Sequence, residues 1–380
     1  MQRFLAYFIC LCLILAGYTY GKSLEVIPSA APEIMARGIV QDMTEIETTE
    51  EIFGQLEERR WFVHVKVSDG PYAGSTEETI HYYGSNPAYD FMIFPGDEVI
   101  LSLNVENNIL QGVNISDLAR DKYLKWLLFL FLASILLIGA RQGIKTILSL
   151  ALTGWAIVQI LLPAFLTGKE PIVITILVCT GITIVTHMLI SGFTKKSLAA
   201  ISGTVLGIFI GGILAKYIIT LTRISGLGSE ESRMFFFSYA EGKLDIHGLL
   251  FAGIVIGSLG AVMDVAMSIA SSTSEIHQLN PGLSFGQLLR SGLNVGRDII
   301  GTMANTLILA YTGSAIPLML LLLANDIPYL KYINLDMIAT EIIRALSGTI
   351  GLFLAIPFTA LISAGLYRSH SRKNIVRDQE

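Results

Sequence analysis

GAVMDVAMSIASSTSEI, Gly260 to Ile276, continues an apolar run that begins near residue 247, and it carries carboxylates at Asp264 and Glu275. Roughly 20 mostly apolar residues are enough for a helix to cross the hydrocarbon core of a bilayer, so the run reads as a membrane span. Wound at about 100° per residue, Asp264, Ser268, Ser271 and Glu275 fall in one stripe. Gly253, Gly257, Gly260 and Ala261 extend it, while Val262, Val265 and Ile269 lie off it. Small residues let helix backbones approach closely, and a charge exposed to lipid costs at least about 2.5 kcal/mol. Asp264 is therefore expected to face inward, onto protein or a water-filled cavity. An ionisable residue in a span points to function by default; its rival here is a packing role with Asn305 as hydrogen-bond partner.

The remainder of the chain extends this reading. Of 380 residues, 52% are hydrophobic and 15% charged, a balance unusual for a soluble domain. Spans are expected at about 4–20, 123–139, 146–166, 172–192, 198–222, 247–271, 299–323 and 342–366. Lys and Arg accumulate beside spans on the cytoplasmic side. If the spans alternate, Arg141, Lys145, Lys195, Lys196, Arg290, Arg297, Arg368, Arg372 and Lys373 share one side, which is then the inside. The expected fold class is an α-helical polytopic membrane protein of about 8 spans, N-in and C-in, with a small extracytoplasmic β-barrel-like domain between spans 1 and 2.

Residues 1–21 read as a membrane anchor or a signal peptide, with Arg3 ahead of FLAYFICLCLILAG and small residues at Ala16, Gly17 and Gly21. Residues 22–120 form the extracytoplasmic domain, 121–371 the helical core and 372–380 a cytoplasmic tail. From Lys22 to Lys122, 18 acidic residues oppose 7 basic ones, a net of −11; the chain total of −5 leaves +6 for the rest. Cys10, Cys12 and Cys179 all lie in expected spans, so no disulfide staples the exported domain. Its strands must hold it together. Trp61, Val63, Val65 and Val67 alternate with Phe62, His64 and Lys66, the period of a half-buried strand. A second alternation, Val99, Leu101, Leu103 and Val105, follows a turn at Pro95-Gly96-Asp97. Further turns are expected at Asp69-Gly70-Pro71 and Tyr83-Gly84-Ser85-Asn86-Pro87. The acidic stretch from about Gln41 to Glu51 is expected to be flexible, and Asn107 to Lys122 to be a linker. His64 and His81 have no cluster at ligand spacing, so no metal site is expected; they read as surface or satisfied core residues.

Other spans repeat the polar device. Thr180, Thr183, His187 and Ser191 share a stripe, as do Thr302, Asn305, Leu309 and Thr312. Gly203, Gly207 and Gly211 form a double GxxxG ridge. Ser347, Gly348 and Gly351 precede Pro357, which should kink its helix unless a neighbour satisfies the freed carbonyl. Between the sixth and seventh spans, Ser284 to Gln287 can form a capping box, and LLRSGLNVGRD reads as a short interfacial helix. Arg290 and Arg297 lie on one face of it. They serve either as inside anchors or as a cytoplasmic mouth, one of them pairing with Glu275.

The run at Gly260 to Ile276, Asn280-Pro281, and SGLNVGRDIIGTMANTLILAYTG from Ser291 to Gly313 together resemble the YibE/F-like family of bacterial multi-pass membrane proteins. Gly96-Asp97-Glu98-Val99 matches the GD-V pattern of the β-rich segment in such proteins. The resemblance implies this architecture and a bacterial plasma membrane location, and it carries no mechanism. There is no P-loop or HExxH, and no paired aspartates or GxSxG on a span, so an enzyme is not expected, nor any cofactor. A serine beside Asp264 without a placed base is no nucleophile. The function expected is a permease for a small solute or ion, its polar path formed by Asp264, Ser268, Ser271, Glu275, His187 and Asn305. The alternative is a non-transporting scaffold whose extracytoplasmic domain binds an envelope or protein partner. Expected partners are the lipid bilayer, a small solute or ion, and a protein outside the membrane; nucleic acid is not among them.

Overall fold

The computed structural model describes residues 34–49, 58–83, 90–106, 109–239 and 245–377. The span expected at 4–20, with Cys10 and Cys12, lies outside them, as do residues 84–87 of the turn after Tyr83. The chain divides into two units, one of them Val26–Ser134 and the other containing Ile135–Glu380.

In the first unit, β1 (Ile34–Thr49), β2 (Glu58–Val67), β3 (Thr76–Tyr83), β4 (Glu98–Glu106) and β5 (Ile109–Leu118) make one antiparallel sheet in the order β3-β2-β1-β4-β5. Its edge strands β3 and β5 approach each other without pairing, which leaves a nearly closed barrel. The alternations of β2 and β4 hold: Trp61, Val63, Val65, Val67, Val99, Leu101 and Leu103 are all buried. Gly38 of β1 sits where both ladders meet, opposite Val67 and Val99. A Cβ there would lie 2.5 Å from both Leu101 Cδ1 and Val65 Cγ1. The Pro95-Gly96-Asp97 turn forms with Gly96 at φ 97° and the Asp97 carboxylate accepting from Phe94 N at 2.8 Å. His81 is 6% exposed and its Nε2 lies 2.8 Å from Phe91 O, a satisfied core histidine. His64 lies 3.1 Å from Glu78 on the neighbouring strand.

Two expectations for this unit are corrected. The acidic stretch is strand, not flexible chain, up to Thr49: β2 pairs with β1 along its whole length, and ladder hydrogen bonds satisfy a backbone whatever its side-chain charge. The expected linker contains β5. Its inward or partly buried residues Leu110, Val113, Ile115 and Leu118 step by three, two and three because bulges interrupt the ladder with β4. A bulge shifts the two-residue period, so the alternation is hidden in the sequence.

In the second unit the helices are α1 (Asp121–Ala156, starting in the first unit), α2 (Leu162–Leu166), α3 (Pro171–Ser191), α4 (Lys195–Thr222), α5 (Glu230–Tyr239), α6 (Ile246–Leu279), α7 (Phe285–Ala324), α8 (Tyr329–Ile333) and α9 (Asp336–Arg377). A π-turn at Ile157–Leu161 joins α1 to α2. Among the described residues six helical segments are long and apolar enough to cross a membrane: Asp121–Leu166, α3, α4, α6, α7 and the Asp336–Tyr367 part of α9. The first holds two expected spans, 123–139 and 146–166, and is broken between them at Ala140, with φ 44° and ψ −122°. Gly143 approaches the carbonyl of Ile135 so closely that no Cβ fits. Residues eight apart in a straight helix are separated by roughly 12 Å, so the chain bends sharply here.

α4, α6 and α9 form the centre, with α3 and α7 against them. The glycine ridge of α4 explains the closest crossing. Gly203, Gly207 and Gly211 lie against Thr359, Ala355 and Gly351 of α9, where a Cβ on Gly207 would be 2.7 Å from that of Ala355. α9 continues through Pro357. The interfacial helix expected at Leu288–Asp298 is instead the beginning of α7, which runs unbroken for 40 residues from a capping box formed by Ser284 and Gln287. The reason is packing: Gly292 and Gly296 are buried against Ala360 and Ile356 of α9 and Thr273 and Ile269 of α6.

Candidate functional site

The expected polar path is not assembled as one cluster. Asp264, Ser268 and Glu275 are exposed on α6 and Ser271 is half-buried, so the stripe faces away from the bundle centre. This corrects the expectation of an inward Asp264. Val262, Val265, Ala266, Ile269 and Ala270 take the packed side instead. Lipid tails are as apolar as these side chains, so packing and not transfer from water decides the face: Val262, Val265 and Ile269 fill the space against Ile356 of α9, and Ala266 and Ala270 pack with Ala199 and Ala200 of α4. Close approach of small residues decides the α4–α9 crossing instead. Asn305 is exposed on α7, as are Thr302, Leu309 and Thr312, and no hydrogen bond joins Asn305 to Asp264 among the described residues. Arg290 and Arg297 are exposed; Arg297 Nη1 donates to Asn294 at 3.4 Å, and neither arginine pairs with Glu275 among the described residues.

The α3 stripe does face inward. His187 is 2% exposed with both ring nitrogens buried and without a partner among the described residues. Thr183 donates to Cys179 O at 2.8 Å, and Ser191 reaches Met267 Sδ on α6 at 3.7 Å. His187 and Asp264 thus belong to different environments, one sealed and one open.

A further polar site is one that the sequence reading did not single out. At the end where α6 and α9 begin, a cavity of about 340 Å³ is lined by Ser229, Ser232, Ser314, Thr340, Glu341 and Arg344, with Leu249, Leu250, Leu318 and Met337 as apolar wall. Arg344 Nη1 donates to Glu341 Oε1 at 2.7 Å across one turn of α9, and the two side chains are 29% and 26% exposed. Glu341 Oε2, Arg344 Nε and Thr340 Oγ1 are buried without a hydrogen-bond partner among the described residues. So is Tyr311 OH, held one turn deeper in the notch left by Gly257 and Gly348. The sequence signal was Glu341-x-x-Arg344 at the mouth of an apolar run. Arg344 stands just inside the expected span 342–366, where a basic side chain reads equally well as an anchor snorkelling to the headgroups.

The bundle ends are chemically distinct. Lys145 Nζ donates to Ile190 O at 3.2 Å, Lys195 Nζ lies 5.6 Å from the Tyr367 ring centre, and His277 packs on the same ring at 5.1 Å. These three groups lie at one end of the bundle. At the other, Asp336 accepts from Ser225 N and Oγ at 2.9 and 2.8 Å, and His247 meets Ile224 O at 2.7 Å.

The family model described as YibE/F-like protein matches residues 127–369, which is most of the chain and nearly all of its long helices. The chain belongs to the YibE/F-like family. The β-unit lies largely outside the matched residues, and both Asp264 and the Glu341–Arg344 pair lie within them. No curated protein and no solved structure matches the chain. Membership of the YibE/F-like family and the six long apolar segments make this a multi-pass membrane protein.

Proposed function

We propose that this YibE/F-like protein is a permease of the bacterial plasma membrane, moving a small solute or ion along a polar path in which Asp264 is the central group. The observation that carries the reading is the outward position of Asp264 on a helix of membrane-crossing length. Facing acyl chains, an ionised carboxylate costs at least about 2.5 kcal/mol, and neighbouring Ser268 and Gly260 offer lipid little to pack against. Water or protein therefore covers this face. A hydrated cover gives a path and a protein cover gives a scaffold.

The chain crosses the membrane about eight times in this reading, counting the N-terminal segment and the two halves of Asp121–Leu166. The basic end of the bundle, carrying Lys145 and Lys195, is cytoplasmic, both termini are inside, and the acidic β-unit lies outside. No part of it is an enzyme.

Cysteines placed singly at 264, 268, 271 and 275, in a protein whose Cys10, Cys12 and Cys179 have been replaced, test the path without knowledge of the substrate. In native membranes a small charged thiol reagent should label these positions and spare cysteines at 262, 265 and 269. Unlabelled cysteines at 264 and 268 in a correctly inserted protein would remove the permease reading in favour of the scaffold.

A further inference from the structure

We propose that the Glu341–Arg344 cavity is a binding site for a small zwitterion, a solute with one carboxylate and one ammonium group. Three observations carry this. The cavity, at about 340 Å³, is at the small end of ligand sites, which run from roughly 300 to 1,000 Å³. Its two charged groups are of opposite sign and in contact, so a lone anion drawn to Arg344 meets Glu341 within one turn, and a lone cation meets the converse. A zwitterion satisfies both: its carboxylate takes the guanidinium fork and its ammonium the second carboxylate oxygen. Glu341 Oε2, Arg344 Nε and Thr340 Oγ1 are without a hydrogen-bond partner among the described residues and become reachable when the two charged side chains turn toward the solute. An ion pair kept for packing alone would be expected to have these atoms satisfied, because each buried polar atom without a partner costs about 1–3 kcal/mol.

Leu318 and Met337 provide an apolar wall for a small side chain, and Ser314, one turn before Leu318 on α7, lines the same cavity with its hydroxyl donated to Tyr311 O at 2.8 Å. Gly228 lets the backbone close in, since a Cβ there would be 3.1 Å from Met337 Cα. The inference deepens the permease reading by naming the class of solute, yet binding is measured without transport and without Asp264. Its failure therefore leaves the labelling of the α6 stripe to stand or fall alone.

The experiment uses the purified full chain in detergent with Ser314→Cys as the only cysteine. A pool of glycine, alanine, serine, proline and glycine betaine is compared with propionate, ethylammonium and glycerol. The pool should slow reaction of this cysteine with a small thiol reagent by about tenfold once it exceeds its Kd about tenfold, and should raise the thermal midpoint. The Glu341→Gln/Arg344→Gln double variant, which removes both charges and leaves two amides that can hydrogen-bond each other, should fold and lose the protection, and Arg344→Lys should weaken it. No protection of the wild-type cavity by the pool overturns the proposal. Equal protection by propionate or ethylammonium alone, or full protection of the double variant, overturns it as well.

Discussion

Asp264 and Arg344 both stand in helices long enough to cross a membrane, and the packing treats them in opposite ways. Asp264 is exposed and has no partner among the described residues, whereas Arg344, 29% exposed, is held against Glu341. Different consequences of mutation follow. Asp264→Asn should leave the thermal midpoint in detergent almost unchanged, within about 0.5 kcal/mol, because surface substitutions without partners rarely do more. A large destabilisation would show that Asp264 is packed after all. Arg344→Met leaves Glu341 uncompensated. Breaking a fully buried pair costs about 3–5 kcal/mol, and the partial exposure here reduces that to about 1–3 kcal/mol. Adding Glu341→Met should recover part of the loss, which a double-mutant cycle on thermal midpoints measures. Additive losses would mean that the two groups do not interact.

At the scale of elements, glycines separate crossings that are already made from faces still open. A Cβ at Gly207 would meet Ala355 Cβ at 2.7 Å and Gly351 O at 2.9 Å, whereas at Gly253 and Gly260 it meets nothing within 4 Å. Gly207→Ala should therefore cost about 1–3 kcal/mol by overpacking the α4–α9 crossing, and Gly260→Ala close to nothing or a slight gain in helix propensity. Thermal melts of the two variants decide the matter. If Gly260→Ala proved as costly as Gly207→Ala, the α6 stripe would be covered by a partner in solution. The same argument holds in the barrel, where Gly38→Ala should cost about 1–3 kcal/mol because Leu101 and Val65 occupy the space.

For the whole molecule, the division into units predicts independence. Residues 22–120, expressed without the helices, should give a β-rich circular dichroism spectrum and a cooperative melt, because the strands carry their own core of Val63, Val65, Val99 and Leu101. A random-coil spectrum would defeat this. The ion pair of Arg37 with Asp121, 2.6 Å apart, is lost in that fragment. It joins side chains that are 38% and 35% exposed; the Asp121 hydrogen bond and charge raise the Arg37 pKa, with no titration in the useful range to follow. Orientation is tested on intact cells. A cysteine at Ser68 should react with an impermeant reagent added outside and one at Thr194 should not, and the reverse pattern would invert the topology.

By itself the sequence determined what depends on period and composition. The long apolar helical segments among the described residues, the alternating strands β2 and β4, the capping box at Ser284 and the α4 glycine ridge were legible because each is a local pattern with one structural meaning. The family resemblance, quoted on Gly260 to Ile276 and Ser291 to Gly313, agrees with the matched family. What only the tertiary structure decided was which side of each pattern is used. β5 was hidden by bulges that shift its period, and α7 was joined into one helix by glycines that pack on α6 and α9. The stripe of Asp264 is recognisable as a stripe in any helix. Whether it faces the bundle depends on how much surface the opposite face buries, and that is set by Ile356 of α9 and Ala199 and Ala200 of α4, residues remote in the chain. The Glu341–Arg344 cavity has the same origin, because its hydroxyls come from α5, α7 and α9 and meet only when those helices pack.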